Sequence, residues 1–356
     1  MPTIPSIILD AHQDIAWNKT TFGRDFTQSA LLKRSREINT PTAAEQGGAT
    51  CGLPEALLGR VGVIFGTIFA PPAASTPAPW RGYQTPQEAY RIGMEQIDVY
   101  HRLADTHPQI ALIRTQKELD SVLDTWQEGV PFEKHQVGIV ILMEGADPIL
   151  EPRAFDEWYE YGVRLVGPAW GQTRYSGGTR APGRLTPQGR ELLEVMASYK
   201  AILDLSHMAE ESYLEAVDSY EGTIIASHSN PRRFCDTDRH LSDDMIRRLI
   251  ARDGVIGTVL YNRFMWHNMP LKADALAERI AEIIDYVCQL AGSARHVGIG
   301  SDWDGGFGVA NIPASMDTIA DLRLIRPLLS ARGYSATDMD QIENGNFLRI
   351  LRAALP

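Results

Sequence analysis

Cysteine is scarce: Cys51, Cys235 and Cys288 are the only three in 356 residues, far apart and without CxxC spacing. That excludes a disulfide framework and a thiolate zinc site, leaving reduced thiols as the plain expectation. Basic charge is also in deficit, with 34 Lys and Arg against 45 Asp and Glu and a formal charge of -11. Phosphate backbones are held by clustered cations that displace counterions, so a nucleic-acid partner is disfavoured. No stretch reaches the roughly 18 apolar residues of a membrane-spanning helix. The opening MPTIPSIILDAHQD has no basic segment before its apolar run, which charge interrupts at Asp10. Neither a signal peptide nor a membrane association is expected, and the expected location is cytoplasmic. A glycine-rich phosphate loop is missing too, since the first apolar run ends in His-Gln-Asp, which argues against a doubly wound nucleotide-binding sheet.

What is present is an ordinary globular composition, 44% hydrophobic and 22% charged, in a chain whose length suits one alternating strand and helix barrel. Eight apolar, β-branched runs recur: SIILDAH (6–12), GVIFGTIFA (62–70), VGIVILMEG (137–145), VRLVGPAW (163–170), AILDLSH (201–207), TIIASHS (223–229), VIGTVLYN (255–262) and VGIGSD (297–302). Apolar residues spaced three or four apart predict helices over 86–106, 186–199, 241–252 and 272–291. The expected fold is α/β, one (β/α)8 TIM-like barrel over residues 1–356 with its site at the C-terminal face of the strands. Three long segments, 15–55, 71–85 and 171–185, read as irregular and follow strands one, two and four, so they are candidate lids on that face.

Nine histidines occur, and any one of them is by default a packed or surface imidazole. His12, His207 and His228 differ because each ends a predicted strand, whereas His101, His107, His135, His267 and His296 read as structural. His12 and Asp14 form an HxD pair whose alternate spacing on extended chain points both side chains the same way. Glu144 ends strand three, so five metal-type ligands converge on one rim. Nitrogen and oxygen donors without thiolate suit catalytic Zn2+, with Mn2+, Co2+ and Fe2+ as alternatives. A carboxylate can bridge two ions, and Glu144 is the natural bridge between the HxD half-site and a His207/His228 half-site, with a bridging hydroxide as the expected nucleophile. Asp302 in GIGSDWDGG is the expected general base and acid. Asp304, two residues on, is the substitute, although either acid could simply cap the loop before Gly305 and Gly306.

The motifs DAHQD, MEGAD, LDLSHM, ASHSN and GIGSDWDG together resemble the membrane (renal) dipeptidase family of the amidohydrolase superfamily. The resemblance spans nearly the whole chain, including LTPQGRELL at 185–193 and ENGNFLRIL at 343–351. It implies a binuclear zinc barrel that hydrolyses dipeptides, often with a D-residue at the C-terminal position, and that forms homodimers. His12 and Asp14 match the first-metal ligands, Glu144 the bridge, His207 and His228 the second-metal ligands and Asp302 the catalytic acid. Arg239 matches the arginine that holds the substrate carboxylate, a task suited to a guanidinium fork, with Arg232 and Arg233 nearby as alternatives.

One position departs from the family pattern. Where a histidine follows strand four and binds substrate near the scissile carbonyl, this chain reads VGPAWGQTRY with Trp170. An indole donates one hydrogen bond but carries no positive charge, so it serves an oxyanion less well. Either Gln172, Tyr175 or His240 covers the lost role, or the substrate is not a standard dipeptide. Trp170 and Tyr261 are taken as substrate-binding candidates. The rival hydrolytic expectation is an N-acyl amino acid, cyclic amide or lactone on the same site, and the non-enzymatic one is a binding protein that keeps the barrel without turnover.

Overall fold

Parallel strands buried on both faces demand unbroken apolar runs rather than alternating ones, and the eight runs above form such strands. In the computed structural model, which describes residues 6–76, 80 and 82–356, they are β1 (Ile8–Gln13), β2 (Val61–Phe69), β4 (Val137–Glu144), β5 (Val163–Gly167), β6 (Ile202–Asp204), β7 (Ile224–Ala226), β8 (Val255–Thr258) and β9 (Val297–Ile299). Every residue in these eight is buried. All pairings are parallel, and β2 pairs with β4 to close an eight-stranded barrel. The fold is the (β/α)8 barrel anticipated from the sequence.

A ninth strand, β3 (Ile110–Leu112), was not anticipated. It adds to the outer edge of β4 at its base, with Ile110 opposite Val137 and Leu112 opposite Ile139. Three residues are too few to show a period. The long β2–β4 register runs from Val63 opposite Gly138 to Phe69 opposite Glu144, which brings Glu144 to the strand terminus.

The predicted helices appear as Pro86–Thr106, Pro187–Ser198, Asp243–Ala251 and Glu278–Ala291. The first three start on Thr85, Thr186 and Ser242, whose hydroxyls accept from backbone N–H groups of the first turn, as N-caps should. The 272–291 pattern is not one helix. Lys272–Asp274 forms a separate 3-10 turn, because Ala275 leaves helical geometry and its carbonyl accepts from the Ala314 N–H at 2.8 Å.

Segment 15–55, expected to be irregular, instead carries the helices Ile15–Phe22, Ala30–Glu37, Pro41–Gln46 and Leu53–Leu58. They are too short to show a clear period, and what fixes them is tertiary. Arg24, buried, holds Glu37 through two hydrogen bonds, and Arg34 reaches Asp317. Segment 171–185 is a loop, as expected, pinned by bridges from Gly178 to Ala181 and Met208. Residues 77–79 and 81 of the 71–85 segment lie outside the described residues. Among the described residues no helix is long and apolar enough to cross a membrane. At the site end the backbones come very close: a Cβ on Gly257 or on Gly300 would lie 1.9 Å from the Ser227 carbonyl oxygen, so only glycine serves there.

Candidate metal centre

The five proposed ligands do converge at the C-terminal ends of the strands. His12 belongs to β1, and Asp14 starts the helix that follows it. Glu144 is the last residue of β4, and His207 and His228 lie just beyond β6 and β7. The Glu144 carboxylate stands between two sets of donors. Its Oε2 is 3.7 Å from His12 Nε2, and its Oε1 is 3.2 Å from His207 Nε2 and 3.3 Å from His228 Nε2. His12, Asp14 and Glu144 form one group of donor atoms within 4.8 Å of one another, and Glu144, His207 and His228 form a second.

Several observations fit cations here. The buried His12 Nε2 has no hydrogen-bond partner among the described residues, which is costly for a polar atom unless something else engages it. His207 Nε2 and His228 Nε2 face each other at 3.0 Å. At that distance the two nitrogens either share a proton, one ring donating to the other, or both turn lone pairs to a common positive centre. Burial, reinforced by Arg239, pushes His207 down to about 4. Burial and the charge on His12 hold His228 well below its usual value. Both therefore stay in the neutral, ligating form.

The acids tell the same story. Burial and then the Glu144 charge push Asp14 up to about 7. Burial, with Asp14 and Glu144 nearby, raises Asp302 well above the carboxylate range. Burial alone would lower His12, but Glu144 outweighs it and holds the imidazole up at about 10. Glu144, which burial would raise, is kept well below its usual value by His12. Three buried carboxylates thus share one imidazolium, a deficit of positive charge that divalent cations would remove. The all-nitrogen-and-oxygen donor set fits zinc, as expected from sequence.

A layer of hydroxyls behind the ligands was missed in the sequence. Thr67 donates to Asp14 Oδ1. Thr179 Oγ1 is 3.0 Å from His207 Nδ1. Ser227 Oγ lies 2.8 Å from His228 Nδ1 and 3.3 Å from His12 Nδ1, and donates to the buried Asp204. Asp204, His12 and His228 also bring donor atoms within 4.8 Å of one another. The Ser227 hydroxyl, bonded to all three, mediates that contact, so we do not count it as a third ion site. The one available signal was nearness in sequence: Ser227 directly precedes His228 in ASHSN, and Asp204 lies three residues before His207 in LDLSH.

The other candidates separate cleanly. Asp302, at φ +60, points Oδ1 to within 3.8 Å of His12 Nε2, and its carboxylate accepts no hydrogen bond from a described residue. Asp304, at φ +65, is fully employed: its Oδ1 accepts from the Thr50 N–H and hydroxyl, both at 2.7 Å, and its Oδ2 from the Cys51 N–H at 3.2 Å. Asp304 is therefore a loop clamp and not the substitute base. Arg239 is buried, donates to Ser229 Oγ and the His228 carbonyl, and has an Nε without a partner among the described residues. Arg232 is committed to Glu210 and the His240 carbonyl, and Arg233 lines an outer groove with Phe234 and Trp266.

Trp170 stands with its ring 6.1 Å from that of His207 and 5.2 Å from that of Phe69. Neither buried neighbour proposed to replace the missing histidine is free to do so. Tyr175 donates to the Ile149 carbonyl at 2.6 Å, and both ring nitrogens of His240 are engaged, by Thr237 and the Phe264 carbonyl. Gln172 is exposed and has no described contact with the ligands. Tyr261 stacks on Phe307 at 4.1 Å and meets Phe264, over which Arg239 sits. It therefore joins the Arg239 side of the rim, where a guanidinium sits among the aromatic rings, as none does against the Trp170–Phe69 pair among the described contacts.

A parallel eight-stranded barrel carrying this donor cluster at its C-terminal rim defines the chain as a metal-dependent hydrolase. The model for membrane dipeptidase, peptidase family M19, matches residues 4–355, and the chain belongs to that family of metallopeptidases. It is 29% identical over 211 residues to an uncharacterized protein from the pqqA 5' region of Klebsiella pneumoniae, covering 57% of this chain and 76% of that one. It is 26% identical over 305 residues to dipeptidase aclJ of Aspergillus oryzae, covering 84% and 68%. A solved metallo peptidase from Rhodobacter sphaeroides, liganded with a phosphinate mimic of L-Ala-D-Ala, superposes with a TM-score of 0.78 at 22% identity, covering 98% of this chain and 99% of that one. At that identity the likeness concerns the fold.

Proposed function

We propose that the protein hydrolyses dipeptides with two zinc ions, one held by His12, Asp14 and Glu144 and the other by Glu144, His207 and His228. The observation that carries this is the placement of Glu144, whose two oxygens face the two donor sets separately. When bound, such ions supply an activated water and polarise the scissile carbonyl. The chain's own residues do the rest. Asp302 takes a proton from the attacking water at Oδ1 and returns it to the leaving amine. Arg239, with Nε unpartnered among the described residues, holds the substrate's terminal carboxylate through its fork of N–H donors. The Trp170–Phe69 wall then faces the opposite, N-terminal end of the substrate with apolar surface, and Tyr261 flanks the Arg239 end.

Trp170 favours a second reading. With Tyr175 and His240 committed elsewhere, the role of the missing histidine has no evident heir, and an N-acyl amino acid, cyclic amide or lactone keeps the same scissile chemistry. The test is hydrolysis by the zinc-loaded protein of L-Xaa-L-Xaa and L-Xaa-D-Xaa dipeptides beside an acyl amino acid and lactone series, with a chelated control. Chelator-sensitive cleavage of dipeptides supports the first reading. Cleavage confined to the acyl and lactone series replaces it with the second.

A further inference from the structure

We propose that Ser227 is a positioning residue shared by both half-sites, one hydroxyl setting the tautomer of a metal-binding histidine in each; this rests on the two-zinc reading above. A hydroxyl has one proton and two lone pairs. The Ser227 proton goes to Asp204, whose carboxylate is buried, accepts that hydroxyl at Oδ2, and accepts the Ser206 and Ser227 N–H groups at Oδ1, 3.0 and 2.8 Å away. Only the hydroxyl's lone pairs are left for His12 Nδ1 at 3.3 Å and His228 Nδ1 at 2.8 Å. Both imidazoles must then donate from Nδ1, and once a cation displaces the second proton that His12 holds in its absence, each ring carries its lone pair on Nε2.

The Nε2 atoms are the ones turned to Glu144. Ser227 thus fixes the outer edge of His12, in one donor group, and of His228, in the other, while the two rings stack with centroids 3.6 Å apart. The pivot cannot drift, because Gly257 and Gly300 pack directly against the Ser227 carbonyl. His207 is served separately, by Thr179. Outer partners of ligating histidines are worth about 10–100-fold in metal affinity, and a shared partner applies that factor to both ions.

The test is competition of the full-length protein against graded zinc chelators, reading both ions by metal analysis, with melting of the metal-free form as a folding control. Wild type should take two zinc ions. Ser227→Ala should weaken both by about 10–100-fold, whereas Thr179→Val should weaken one. Ser227→Thr and Ser227→Val have the same shape and differ only in the hydroxyl, so Thr should retain tight binding and Val should lose it. Asp204→Asn should reproduce the loss, because without the carboxylate the hydroxyl no longer has to direct its proton away from the rings. Undiminished affinity in the Ala and Val variants, or weakening of a single ion, overturns the shared role. A wild type that takes up no zinc removes the two-zinc reading itself, and the proposal with it.

Discussion

Asp302 and Asp304 sit two residues apart on the loop after β9, both buried and both at positive φ, at +60 and +65. They nevertheless belong to different regions of the molecule. Asp304 spends its oxygens on Thr50 and Cys51 and ties the helical 15–55 segment to the barrel. Asp302 faces His12 across 3.8 Å with its carboxylate otherwise uncommitted. The same contrast divides the histidines. His240 has both nitrogens bonded within the protein, while His12 keeps a buried Nε2 without a partner among the described residues. Buried polar groups are normally satisfied, so function is found here in the atoms the fold leaves open, and structure in those it closes. Non-glycine residues at positive φ cost of order 1–3 kcal/mol each and persist where surrounding contacts insist on them. His207 is a third such case at the rim, at φ +65.

Substitutions on the open side should abolish chemistry. Glu144→Ala removes the donor common to both groups, and the account predicts loss of at least one ion and a fall in kcat on the order of 1000-fold or more, since metal assistance is worth several kcal/mol. Near-normal turnover with two ions bound would break the comparison at its centre. Asp302→Asn keeps the shape but cannot accept a proton, so kcat should fall roughly 100- to 10,000-fold with zinc content unchanged; metal analysis beside steady-state kinetics checks both halves. Arg239→Lys keeps the charge and loses the fork, and about 1.5–3 kcal/mol of charged hydrogen bonding should appear as a ten- to hundredfold fall in kcat/KM, carried mainly by KM.

On the closed side the effects move to stability. Asp304→Ala strands the Thr50 and Cys51 N–H groups, which should lower unfolding free energy by about 1–3 kcal/mol for each group left unsatisfied, read by denaturant titration, while zinc content stays at the wild-type level. A kcat loss matching that of Asp302→Asn would erase the distinction between the two acids. Burial, then the Arg239 charge, lowers His240 to about 3, below its value of about 6.5 in the unfolded chain. Its contribution to stability is therefore complete above about pH 6.5 and is lost as pH falls toward 3, by up to roughly 1.4 kcal/mol per pH unit. His240→Gln should flatten that part of the pH profile, and identical slopes in both proteins would contradict the assignment.

The barrel and its metal ligands were legible in the sequence because each leaves a local trace. A doubly buried parallel strand must be an apolar run, and a ligand at its mouth is a polar residue at or just past the end of that run: Glu144 is the last residue of β4, His12 the penultimate residue of β1, and His207 and His228 follow β6 and β7 by three and two residues. What was illegible depends on distant partners. Nothing near DWDGG distinguishes Asp302 from Asp304; Thr50, some 250 residues away, makes the choice. The helices within 15–55 are set by Arg24, Arg34 and Asp304 rather than by periodicity, and β3 is a three-residue addition to β4. Tyr175 and His240 match the missing histidine in hydrogen-bonding chemistry, but their hydrogen bonds to distant backbone and to Thr237 commit them elsewhere. The hydroxyls of Thr67, Thr179 and Ser227 are common residues whose meaning lies only in what they touch.

The most direct test of the central claim is the zinc stoichiometry of the full-length wild type beside Glu144→Ala, after loading and removal of free metal. Two ions per chain in the wild type, with at least one lost in the variant, is the result predicted from a carboxylate that faces two donor groups. A wild type holding no ion, or a variant that still holds two, would contradict it.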